Sequence, residues 1–209
     1  MGKKKILTLA LCAVFFSICA APSFAQITVS GGLALSSVKN IEVSGYNQDI
    51  DADIGIGGNL FVDYLLPIGV PLSLGGEIGV DGAKFKVGDT LNESITAIPI
   101  LLRAAYHFDL LPKLDLYVVG KIGYVIGIWE GDFKDYVENS NDSSVGALGG
   151  VGFGFDVGVA YYFNSKIGAF IEAGFDDYVL ESKLKFGGAS YTLEAPFNRF
   201  LTFGVSAKF

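Results

Sequence analysis

The last stretch of the chain alternates strictly: Leu201, Phe203, Val205, Ala207 and Phe209 are apolar, while Thr202, Gly204, Ser206 and Lys208 are small or polar. A period of two marks an extended strand whose faces meet two different environments. Seven further segments carry the same rhythm, and together the eight predict strands over 27–38, 51–65, 72–82, 95–108, 114–129, 149–163, 167–177 and 197–209. One face of each is almost wholly apolar, as in Ile54, Ile56, Leu60, Val62 and Tyr64 or Val151, Phe153, Phe155, Val157, Val159, Tyr161 and Phe163. Crossing a bilayer takes about 9–11 residues of tilted strand, so each segment is long enough to span. The connections alternate too. Leu66 to Pro71, Asp109 to Lys113 and Asn164 to Lys166 are short, and the others are longer, polar and often acidic. Short turns at one end and long loops at the other predict an all-β fold, an eight-stranded antiparallel transmembrane β-barrel with both termini on the short-turn side.

The N-terminus changes the picture only by removing itself. Lys3, Lys4 and Lys5 precede an apolar run from Ile6 to Ala20, and Ser23-Phe24-Ala25 supplies small residues for cleavage. This predicts a secretory signal peptide over 1–25 and a mature barrel over 26–209. Both cysteines, Cys12 and Cys19, lie in the leader, so the barrel has neither disulfides nor thiol chemistry. Without the three leader lysines, 12 of the 15 basic residues face 22 acidic ones, a net charge of −10. That balance disfavours nucleic acid as a partner.

Outward-facing aromatics gather at one end. Tyr64, Tyr106, Phe108, Tyr161, Phe163 and Phe209 all lie within a few residues of a short turn or the C-terminus, the expected place for an interfacial girdle on the periplasmic side. With these features the chain resembles the small eight-stranded outer-membrane proteins of the OmpA, OmpX and opacity type, with OmpW-like proteins as a close alternative. The terminal segment with Leu201, Phe203, Val205 and Phe209 is similar to the sorting signal of such proteins. The resemblance implies a barrel-assembly machine as a partner and outer-membrane lipid as the surroundings; with nothing after Phe209, the peptidoglycan-binding domain of full-length OmpA relatives is not expected.

Charged residues at inward positions form the principal candidate site. Glu77, Arg103, Lys121, Asp156 and Glu172 occupy five successive strands, about 15–20 Å above the short turns at the usual strand rise and tilt. Isolated charges there are costly, so mutual pairing is expected: Arg103 toward Glu77, and Lys121 toward Asp156 or Glu172. Such a layer either plugs the barrel or gates it. Inward glycines, among them Gly55, Gly75, Gly79, Gly123, Gly127, Gly154 and Gly158, leave either water-filled pockets or room for Phe61, Tyr117, Tyr162, Phe170 and Phe200.

The single histidine, His107, falls at the short-turn rim and reads as a solvated residue. No Ser–His–Asp or metal cluster is expected around it, and neither an enzymatic site nor a cofactor is expected at all. Loop residues 130–148 carry Glu130, Asp132, Asp135, Glu138 and Asp142 against Lys134. Their spacing fits no EF-hand loop, which favours a solvated acidic loop over a Ca²⁺ site. Lys183–Phe186 and Tyr191–Leu193 around Gly187-Gly188 predict a protruding hairpin. The leading functional expectation is a structural or surface-interaction barrel whose loops meet an unidentified extracellular ligand. The alternatives are a narrow pore or OmpW-like transporter of small solutes, and a soluble lipocalin-like barrel with its apolar faces turned inward.

Overall fold

The computed structural model describes residues 26–209 apart from 40, 44–45, 49, 88–90 and 141–142. The leader expected over 1–25 and the loop residue Asp142 therefore lie outside the described residues. Eight long strands carry the fold: β1 (Gln26–Val38), β5 (Gly55–Leu65), β6 (Leu72–Val87), β7 (Leu91–Leu111), β8 (Leu114–Gly131), β10 (Leu148–Tyr162), β11 (Ile167–Phe186) and β12 (Ala189–Lys208). Short strands β2 (Ile41–Val43), β3 (Tyr46–Gln48), β4 (Ile50–Ala52) and β9 (Ser144–Val145) and a helix, α1 (Asp132–Glu138), lie in the longer connections among the described residues. Each long strand pairs antiparallel with its neighbour, and β12 pairs with both β11 and β1, which closes the sheet into a barrel with no free edge.

The apolar faces point out of the barrel. Ile56 is 71% exposed and Leu102 69%, and the outward residues of the long strands are exposed or half-buried, while Ser30, Ser36, Glu77, Arg103, Lys121 and Glu172 on the opposite parity are buried. That orientation sets aside the lipocalin-like reading, in which the apolar faces would look inward. At the short-turn end, Ile27 and Phe209 exchange backbone hydrogen bonds of 3.2 and 2.8 Å, so the two ends of the barrel chain meet there.

Five boundaries differ from the expectation. The strand expected over 51–65 divides into β4 and β5 at Asp53 and Ile54. The strand expected to end at 82 runs to Val87, and its partner starts at Leu91 rather than 95. Likewise β11 and β12 extend to Phe186 and from Ala189, and the hairpin expected there joins them through Gly187 and Gly188 at positive φ (58° and 82°). The acidic stretch 130–148 is not an irregular solvated loop. It contains α1, whose Phe133 and Val137 pack onto the barrel's apolar interior.

Candidate functional site: a charge network across the barrel

Seven strands send polar side chains into one buried layer. The Arg103 guanidinium donates to Glu77 Oε2 at 2.7 Å, to Glu172 Oε1 at 2.6 Å and to Asp63 Oδ1 at 3.3 Å, and lies 3.8 Å above the Phe61 ring. Lys121 Nζ stands 2.5 Å from Asp156, 3.0 Å from Asp176, 3.3 Å from Glu172 and 3.6 Å from Glu77. Arg199 pairs with Glu77 and Asp176 and reaches toward Asp81 at 3.7 Å. Neutral groups complete the layer: Asn59 Nδ2 donates to Glu77, Tyr117 Oη to Glu172 and Tyr178 Oη to Asp81. Every member is buried, so these contacts act in a low-dielectric interior where a lost partner is costly.

The five expected residues are thus together, with Arg103 on Glu77 and Lys121 on both Asp156 and Glu172. Asp63, Asp81, Asp176 and Arg199 join the layer beyond the expected set. The three acids stand on the inward parity of their strands and were legible by the same rule. Arg199 was not, because β12 takes three steps between the inward residues Arg199 and Thr202, and its register shifts against both neighbours there. Such an irregularity reverses the phase of all that follows. Phe200, expected inward on uniform alternation, lies half-buried within the irregularity and does not fill the core. The signal that could have revealed it is energetic: the uniform phase would place Arg199 in lipid, at a cost of about 2–4 kcal/mol near the midplane.

Three cations here serve six carboxyls. Removing a carboxylate should therefore be milder than removing a cation. Asp156→Asn leaves Lys121 with Asp176, Glu172 and Glu77, and is expected to cost less than about 1 kcal/mol in urea unfolding.

Above and below the layer the interior is also occupied. On the long-hairpin side, Phe85, Leu101, Trp129, Tyr178, Leu180 and Phe197 form part of a continuous apolar cluster. Glu93 accepts hydrogen bonds from Trp129 Nε1 at 2.7 Å and Phe133 N at 2.8 Å, fastening the start of α1 over that cluster. Gly131, at φ 154°, allows the turn into the helix, and a Cβ there would lie 2.3 Å from the Glu93 carboxylate. The inward glycines make room for side chains: a Cβ on Gly158 would meet the Tyr117 ring at 2.2 Å. On the short-turn side lies a cavity of about 80 Å³ lined by Ser73, His107, Asp115, Tyr117 and Lys208 among others.

His107 does not stand free in solvent at that rim. Its Nδ1 lies 2.9 Å from Asp115 Oδ1 and its Nε2 2.9 Å from Ser73 Oγ, with Tyr117 against the ring at 5.5 Å. The expectation that no Ser–His–Asp arrangement could form is corrected. The partners come from the neighbouring strands β6 and β8, and pairing across strands brings Ser73, 34 residues away, and Asp115, across the short turn, to the same ring.

The expected girdle residues sit at the short-turn end. Tyr106 and Phe108 meet edge to face at 5.1 Å, Tyr161 and Phe163 at 5.7 Å, and Phe209 is exposed. In the acidic segment, Asp132 accepts from the Asn92 amide at 3.1 Å and Lys134 pairs with Glu138 one helical turn on. No cluster suited to a metal ion occurs among the described residues.

The model of one family, described as the outer membrane protein beta-barrel domain, matches residues 8–209. The chain belongs to this family. Among solved structures it is similar to the outer membrane protein OprG from Pseudomonas aeruginosa, at 13% identity and a TM-score of 0.57, over 88% of this chain and 96% of that one. A major outer membrane protein from Thermus thermophilus matches at 15% identity and 0.53, over 88% and 99%. Neisserial surface protein A matches at 15% and 0.50, over 88% and 97%. At such identities the likeness is one of fold. Among curated proteins no match is found.

As an outer membrane beta-barrel protein, the chain lies in the outer membrane with its apolar band against lipid. The short turns and both ends of the barrel chain face the periplasm, and the tall hairpins and α1 face outward. The charge network lies between the two, inside the membrane-spanning height.

Proposed function

We propose that the protein is a closed outer-membrane scaffold whose extracellular hairpins and helix meet a partner at the cell surface. The observation that supports this best is the filled interior. The charge network, the apolar cluster above it and α1 over the top leave side chains where a solute path would run. An eight-stranded barrel has room for side chains and little else. The transporter reading would need a continuous polar or open route, and the apolar cluster from Phe85 to Phe197 stands across it.

In this reading the charged layer fixes strand register, since each cation bridges carboxylates from several strands. The terminal Leu201, Phe203, Val205 and Phe209 serve as the segment read by the barrel-assembly machinery. Their outward apolar faces and the exposed final ring support that role. Osmotic swelling of proteoliposomes tests the closed state: vesicles carrying the folded barrel should swell in arabinose no faster than empty ones. Swelling that scales with barrel density would overturn the reading.

A further inference from the structure

The periplasmic cavity holds an arrangement that a filled scaffold does not require. Ser73 Oγ is 2.9 Å from His107 Nε2, and His107 Nδ1 is 2.9 Å from Asp115 Oδ1. This is the order a nucleophilic serine needs: a base on the hydroxyl and a carboxylate on the far ring nitrogen, holding the tautomer that leaves Nε2 free to accept. The three residues come from adjacent strands β6, β7 and β8, so the sheet itself fixes their spacing. All three line the same partly enclosed cavity of about 80 Å³. Its floor is apolar at Phe61, Leu65 and Ala160, and Lys208 supplies a cation 3.9 Å from Asp115 Oδ2.

We propose that Ser73, His107 and Asp115 form an activated-serine site that takes the acyl group of a small ester entering from the periplasm. Ser73 Oγ would bond to the ester carbonyl carbon as its proton passes to His107 Nε2. The ester C–O bond then breaks, and the leaving alkoxide takes that proton and departs as an alcohol. A water molecule attacks the acyl-serine, gives its proton to His107, and the acid leaves as Ser73 regains a proton. Asp115 is a positioning residue, acting through His107. The cavity's size limits the acyl part to a few carbon atoms. Ser73 lies within the β6 ladder, opposite Leu65 and Ala105, and the amides around it are committed to the sheet. Both acylation and turnover are therefore expected to be slow, since each passes through a tetrahedral oxyanion that such amides would otherwise stabilise.

The test uses protein isolated from outer membranes, with its fold checked by heat-shifted gel migration. A fluorophosphonate probe should add a single label per chain, on Ser73, and none to Ser73→Ala. His107→Asn should slow labelling roughly a hundredfold, the usual scale of general-base help. Asp115→Asn should slow it and flatten its rise with pH. Asp63, Lys208, Tyr117 and Tyr162 also face the cavity, so the profile is compared between variants of equal fold. Outside the leader the chain has no cysteine. Ser73→Cys thus gives a single thiol, whose alkylation by iodoacetamide should fall when His107→Asn is added. Failure of the folded barrel to label, labelling elsewhere than Ser73, or rates that ignore His107 in both assays would overturn the proposal.

Discussion

Arg103→Ala is expected to destabilise the folded barrel by on the order of 3–5 kcal/mol, the cost of leaving buried partner charges uncompensated. The guanidinium bridges Asp63, Glu77 and Glu172 from three strands and covers the Phe61 ring. Glu77 keeps Lys121 and Arg199, and Glu172 keeps Lys121 and Tyr117, so Asp63 bears most of the loss. Arg103→Lys should recover only part of it, because a point charge cannot serve carboxylates in a planar fork. The checking measurement is urea unfolding in lipid vesicles, followed by fluorescence of Trp129, the chain's one tryptophan. A loss below about 1 kcal/mol, typical of a single exchanged hydrogen bond, would show that the layer carries little of the stability.

Trp129→Ala should cost about 3–5 kcal/mol, as truncating a large aromatic in a packed interior does. The indole fills the extracellular half of the interior, stacks on Phe133 at 5.9 Å and donates its N–H to Glu93. Its loss leaves a cavity, strips Glu93 of one of its two donors and loosens α1, whose first turn hangs from the same carboxylate. Limited proteolysis after Lys134 should then precede any cut in the barrel strands. Trp129→Phe, which keeps most of the volume but not the N–H, should fall between. Equal protease resistance in all three would mean that the helix is held by other contacts.

The strand rhythm was legible because lipid and a polar lumen impose opposite demands on alternate residues, and the period of two reports that directly. The same rule found Glu77, Arg103, Lys121, Asp156 and Glu172, and applied further it would have found Asp63, Asp81 and Asp176. It failed at Arg199, where three steps instead of an even number separate inward residues. In the extracellular half the sequence shows the hairpin around Gly187 and Gly188 but not the rest. There Phe85, Leu180, Leu184 and Phe197 are inward and apolar, so the contrast between faces weakens. The helix was hidden by its acids. Phe133 and Val137, one turn apart, were the only trace of its buried side. Distance from a turn shows where His107 lies but not its partners, which come from other strands.

Whether the lumen is closed is decided by single-channel recording of the refolded barrel in a planar bilayer. Folded, heat-shifting protein should give a silent membrane across the usual range of voltage, and Arg103→Ala should stay silent because the apolar cluster and α1 remain in place. Steady, reproducible openings by the wild-type barrel would contradict a closed scaffold and make the layer of Glu77, Arg103, Lys121 and Arg199 the constriction of a pore.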